Sequence, residues 1–133
     1  MSKNMLEQLN KFAVEKKNLG EVDGLYLQGY LDAHTAPELE SAIKNIIDTG
    51  QNRILVNFEN LDYISSAGLG VFMAFIEEVR QNGGDIKLTS MKPKVFSVFD
   101  LLGFPLLFDI DKEEEKAIEK FANNQTFNQN EYQ

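Results

Sequence analysis

The chain has 133 residues, 43% of them hydrophobic, with ten Phe and no Trp, a composition that suits one globular domain with a buried core. Its 13 basic and 21 acidic residues leave a net charge of −8, which disfavours nucleic acid or an anionic membrane as the main partner and favours a partner with a basic surface. There is no cysteine for a disulfide or thiolate metal site, no signal-peptide core, and no apolar run near the ~18 residues of a membrane span, so a cytoplasmic protein is expected.

Residues 1–10 read as an N-terminal arm, residues 11–122 as the domain and residues 123–133 as a polar tail. Phe12 and Val14 alternate with polar neighbours and predict a short first strand. A turn at Gly20–Gly24 leads to a second strand in which Leu25, Leu27, Gly29 and Leu31 alternate with Tyr26, Gln28 and Tyr30, so the two strands read as a hairpin. Thr35-x-x-Glu38 has the spacing of a capping box, with Pro37 in the first turn and Gly50 as the stop. The helix predicted over 36–49 gathers Leu39, Ala42, Ile43, Ile46 and Ile47 on one face.

Arg53–Phe58 predicts a buried strand, and a helix follows over 67–82. Its core stripe is expected to be Leu69, Phe72, Met73, Ile76 and Val79, with Gly83-Gly84 ending it. Val71 and Phe75 fall off that stripe and are expected to form the apolar centre of a docking patch. A short strand around Ile86 and Leu88, a helix from Pro93 through Leu102 and an edge strand over 106–110 come next. The last helix is predicted over 111–121, with Asp111 and Glu114 in capping-box register and Glu113-Glu114-Glu115 solvated. Alternating strands and helices joined by short loops imply an α/β domain: a small mixed sheet of four or five strands with amphipathic helices packed on it.

Between the third strand and its helix stands LDYISSAGLG, residues 61–70, with Ser65 and Ser66 adjacent. Serine is a favoured N-cap, and one of the two hydroxyls is expected to do only that. A helix start also favours an anion, and the small residues Ala67, Gly68 and Gly70 would admit another protein close to the backbone. Hydrolase chemistry fits poorly, because G-x-S-x-G is absent and His34, the only histidine, has no triad spacing with Ser66 and Asp32. Ser41-x-x-Lys44 lies inside an amphipathic helix, and no phosphate-binding loop or full dinucleotide fingerprint occurs. No metal constellation and no cofactor motif is legible.

Three segments, Leu27–Glu40, Ile54–Phe72 and Gly83–Phe104, resemble in order and spacing a STAS domain, in particular the stand-alone bacterial anti-sigma-factor antagonists. That family usually reads Asp-Ser-Ser-Gly-Leu-Gly after the third strand. Anchored on Gly68-Leu69-Gly70, the resemblance puts Ser65 at the aspartate, Ser66 at the phosphoacceptor and Ala67 at the second serine. It likewise matches Asp32 to the aspartate of the loop beside the phosphorylation site and Thr35 to that loop's helix cap. What the resemblance implies is a binding protein, not an enzyme. Unphosphorylated, it binds an anti-sigma factor with serine kinase activity and frees a sigma factor; phosphorylated, it lets go; a metal-dependent serine phosphatase resets it. Asp32, Thr35, Ser65, Ala67, Gly68, Val71 and Phe75 are the expected partner face, and Ser66 rather than Ser65 the modified residue. The rival reading is a STAS scaffold or ligand-binding module without a phosphoswitch.

Overall fold

A computed structural model describes residues 11–124. The expected arm and all but the first two residues of the expected tail lie outside the described residues. Strand β1 (Ala13–Asn18) and β2 (Asp23–Leu31) form the expected antiparallel hairpin, closed by the Leu19 N–H on the Val22 carbonyl at 2.8 Å. Then come α1 (Ala36–Asp48), β3 (Arg53–Ile64), α2 (Ser66–Gln81), β4 (Asp85–Thr89), α3 (Pro93–Leu101), a 3-10 turn (Phe104–Leu106), β5 (Ile110–Asp111) and α4 (Glu114–Ala122). The five strands lie in chain order, and all pairs after the hairpin are parallel. It is the mixed-sheet α/β domain expected.

Period-2 alternation divides the sheet. Leu25, Leu27 and Leu31 of β2 and Ile54, Val56, Phe58, Leu61 and Ile64 of β3 face one continuous core with α1, α2 and α3. Phe58, Phe72, Phe99, Phe104 and Phe108 meet in its interior, with Phe58 edge-on to Phe99 at 5.4 Å between centroids. On the opposite face α4 lays Ala117 and Phe121 on Val22 and Leu55.

Several expectations are corrected. Strand β3 does not stop at Phe58 but runs on through Glu59-Asn60-Leu61-Asp62-Tyr63 to Ile64, because β2 pairs with it past two register shifts. The edge strand is only Ile110–Asp111, since Pro105 and the left-handed Gly103 (φ 78°) wind the preceding residues into a 3-10 turn. Helix α4 begins at Glu114, so Asp111 cannot cap it; Asp111 lies in β5 and accepts a bond from Lys120 at 3.1 Å. Glu114 is not merely solvated, because its carboxylate takes a bond from Asn57 Nδ2 at 3.0 Å.

A buried charge network fastens α4 and β5 to β4. Lys87, fully buried, reaches Asp85 at 3.0 Å and Asp109 at 2.9 Å and lies over the Phe121 ring. Lys120 adds bonds to Asp109 and Asp111, and Arg80 adds one to Asp85. Burial alone would raise the Asp109 carboxyl, but the Lys120 and Lys87 ammonium groups hold it below its ordinary value. Burial would lower Lys120, yet Asp109 and Asp111 carry it above its own.

Each charged form is therefore favoured by folding, and the signs follow. The stability contributed by Asp109 is present above about pH 4, the unfolded aspartate range, and is lost as pH falls through its depressed folded value. That of Lys120 is present below about pH 10, the unfolded lysine range, and is lost as pH rises through its elevated value. Asp109→Asn leaves Lys87 and Lys120 each with one remaining carboxylate. Its expected cost at neutral pH is about 3 kcal/mol, the low end for breaking a buried pair. Urea denaturation across pH should show that loss together with a shallower acid limb.

Candidate functional site

The ends of β2 and β3 build one surface. Leu31 and Ile64 are paired, and the Ser65 N–H continues the ladder by donating to the Leu31 carbonyl at 2.9 Å. Beyond this pair one strand runs into the Asp32 turn and the other, past Ser65, into Ser66 at the start of α2, so both leave the sheet at the same end of neighbouring strands, which lie about 4.8 Å apart.

Asp32 shapes its own turn. Its Oδ1 accepts the His34 N–H at 2.9 Å and the Thr35 N–H at 3.1 Å. Its Oδ2 takes no hydrogen bond among the described residues and stays available at the half-buried rim. The expected Thr35–Glu38 capping box does not form. Thr35 occupies the N-cap position in an αR conformation (φ −101°, ψ −14°) that turns its hydroxyl back to the strand. There Oγ1 donates to the Tyr30 carbonyl at 2.9 Å and accepts the Asp32 N–H at 3.0 Å. Thr35 thus clamps the turn onto β2. The His34 contact to Asp32 is made by its backbone N–H, not its ring.

Ser65 is the N-cap of α2, in extended conformation, but its hydroxyl makes no capping bond. Its Oγ is buried without a hydrogen-bond partner among the described residues. Ser66 is the first residue of α2, exposed, with no side-chain hydrogen bond among the described residues. Two adjacent serines thus have opposite surroundings: one hydroxyl enclosed, the other open to solvent at the positive end of a 16-residue helix.

The core face of α2 differs from the one expected. Gly68, Leu69, Val71, Phe72, Ile76 and Val79 are buried. Val71 is only 7% exposed and belongs to the core, Phe75 is half-buried against it, and Met73 is 46% exposed. Val71 and Phe75 are therefore not a surface patch. At about 100° per residue the buried arc is rotated by about 45° from the predicted stripe, because α2 is flanked by α1 and α3 as well as resting on the sheet. The outward arc carries Ser66, Ala67, Gly70, Met73, Ala74 and Glu77. Ser66, Ala67 and Gly70 of this arc are the ones the sequence already marks as open to a partner, while Met73, Ala74 and Glu77 are added by the structure; the signal for Ala74 is the recurrence of small residues with Ser66 at i+1, i+4 and i+8.

Gly68, expected at the surface, is buried where α2 crosses the strand ends. A Cβ there would lie 2.7 Å from Leu31 Cγ and 3.1 Å from Ile64 Cγ1. Around the rim, Lys92 and the more distant Lys94 approach Asp62, and the Lys92 hydrogen bond holds that exposed carboxyl below its ordinary value. On the sheet face opposite the main core, Tyr30 and Tyr63 stand as a cross-strand pair with centroids 5.6 Å apart. Among the described residues no group of acidic, histidine or cysteine side chains is arranged to hold a metal, and no helix is long and apolar enough to cross a membrane.

The two helical glycines make opposite predictions. Gly68→Ala forces α2 away from Leu31 and should cost about 1–3 kcal/mol as an overpacking change. Gly70→Ala meets nothing within 4 Å and should stabilise the helix by about 1 kcal/mol. Thermal denaturation of the two variants reads both signs.

The STAS domain family model matches residues 13–117. BtrV of Bordetella bronchiseptica, described as a candidate anti-sigma factor antagonist, is 34% identical over 109 residues, covering 80% of this chain and 94% of that protein. An anti-sigma-B factor antagonist of Staphylococcus aureus is 30% identical over 84 residues, 63% of this chain and 78% of its own. Among solved structures, the anti-sigma factor antagonist SpoIIAA in its unphosphorylated form has a TM-score of 0.73 and 26% identity, covering 87% of this chain and all of its own. The Bacillus protein SpoIIAA in its phosphorylated form has a TM-score of 0.65 at 27% identity, covering 82% of this chain and 99% of its own.

Proposed function

The chain belongs to the STAS domain family, and from that premise we propose that it is an anti-sigma-factor antagonist switched by phosphorylation of Ser66. The observation that carries the reading is the open Ser66 hydroxyl at the start of α2, beside the Asp32 turn and at the head of an outward stripe of small residues. Ser65 is the weaker acceptor because its hydroxyl is enclosed. The names of the relatives, and the two phosphorylation states in which SpoIIAA was solved, support the same class of function.

In this reading the unmodified face, Asp32, Ser66, Ala67, Gly70, Met73 and Ala74, receives an anti-sigma factor that is also the serine kinase. Small side chains let the partner approach the helix backbone, and Met73 supplies an adaptable apolar contact. Phosphorylation adds about −1.5 to −2 charges at a helix start, where the dipole favours them, so the domain stays folded. Binding is lost at the interface instead. Two unit charges ~4 Å apart at an effective dielectric of ~20 interact by ~4 kcal/mol, and a third of that is a tenfold loss of affinity. A metal-dependent serine phosphatase then restores the hydroxyl.

Incubation of wild type, Ser65→Ala and Ser66→Ala with the cognate kinase and ATP should label the first two and leave the third blank. Label retained in Ser66→Ala and lost in Ser65→Ala would move the switch to Ser65. No label on any form, with binding intact, would favour an unswitched scaffold.

The docking face has its own test. Met73→Asp should weaken binding of the unmodified protein about tenfold or more at an unchanged melting temperature, whereas Val71→Asp should unfold the domain by burying an unpaired charge. Full affinity in folded Met73→Asp would remove that residue from the face.

A further inference from the structure

The far edge of the sheet carries a second surface, which the proposed switch does not use. Two hollows of about 400 and 460 Å3 lie between α3 and the β5 segment and share Phe96 and Ile110 as common walls. Pro105 and Leu106 extend the apolar lining at one end, Met91 and Pro93 at the other. Phe96 is 38% and Leu106 46% exposed, while Leu101 and Leu102 stand open nearby at 84% and 52%. An apolar strip of this kind on a chain of net charge −8 marks a protein contact rather than an anionic lipid one.

Its charges are arranged with opposite signs at opposite ends. Asp100 lines the hollow that holds Leu106, and Lys112 lines the hollow that holds Pro93. Both are exposed, and neither makes an ion pair or side-chain hydrogen bond among the described residues. Neighbouring Asp111 is different, being held by Lys120. From Pro93 to Asp100 along α3 the groove runs about 10 Å. A twofold axis through its middle would set Phe96 against Phe96 of a second copy. It would also bring each Asp100 onto the other copy's Lys112, the self-complementarity that an isologous contact requires.

We propose that this α3–β5 groove is the interface of a homodimer. An unrelated partner would need only one matching charge, whereas a twofold contact uses both ends of the same groove. The sheet edge at β5 is two strands removed from β3, about 10 Å. The proposal stands independently of the phosphoswitch.

Sedimentation velocity on the full chain, from micromolar to near-millimolar concentration, tests it. The expected result is a concentration-dependent dimer. Asp100→Lys alone and Lys112→Asp alone each turn two attractive pairs into repulsive ones and should weaken it about tenfold. The double charge reversal should restore most of the loss, with circular dichroism showing all variants folded. A single 15.1 kDa species throughout would overturn the proposal. So would a dimer indifferent to these charges and to Phe96→Glu, because its interface would then lie elsewhere. If a different protein occupies the groove in place of a second copy, the chain stays monomeric in this experiment and the proposal fails.

Discussion

The hydrogen bond from the Ser65 N–H to the Leu31 carbonyl carries the ladder one step past the paired strands. Everything at the functional end depends on it. It sets the level at which α2 begins, and therefore which serine is enclosed and which is open. It also places the Asp32 turn alongside, so two loops far apart in sequence become neighbours. Gly68 makes the arrangement sterically possible, because only a residue without a side chain fits between Leu31, Ile64 and the helix axis. The chemistry of the site is slight: an exposed hydroxyl, a carboxylate oxygen, a short outward stripe. Its information lies in position, which suits a surface read by another protein more than one that turns over a substrate.

The rest of the fold keeps that end fixed. The phenylalanine cluster and the aliphatic faces of β2 and β3 supply the apolar core beneath α2. The opposite face is handled differently, with a small apolar contact under α4 and a buried array of lysine and aspartate at β4, β5 and α4. Such an array is a weak source of net stability but is costly to leave half-paired, so it specifies where α4 sits more than how tightly. Buried charge therefore orders the side of the sheet away from the main core, and the Ser66 end is left to backbone pairing and close packing.

Much of this was legible in the residues. The hairpin follows from alternation, and α1 from a stripe whose Leu39, Ile43 and Ile46 are all buried. The length of β3 was not legible, because Glu59 and Asn60 are polar and exposed and only pairing with β2 across its register shifts carries the strand through them. The rotation of α2 was hidden for the opposite reason: with Val71, Met73 and Phe75 all apolar, the sequence allows more than one buried arc, and flanking helices decide. Thr35 could cap forward or clamp backward by composition alone, and its backbone angles select the second. The position of Ser66 within the family motif was legible by resemblance. The enclosure of Ser65 beside it was not, because it depends on how the chain folds around the start of α2.

In the proposed function the ends of β2 and β3 form one surface that a partner reads through the outward arc of α2. The most direct test is an amide chemical-shift titration of the labelled, unphosphorylated chain with its anti-sigma factor. The largest perturbations are expected to fall together on Asp32, His34, Ser66, Ala67, Gly70, Met73 and Ala74, with α4 and β1 little changed. Perturbations centred on α4 or on the outer face of β1, with Ser66 and the Asp32 turn silent, would contradict it.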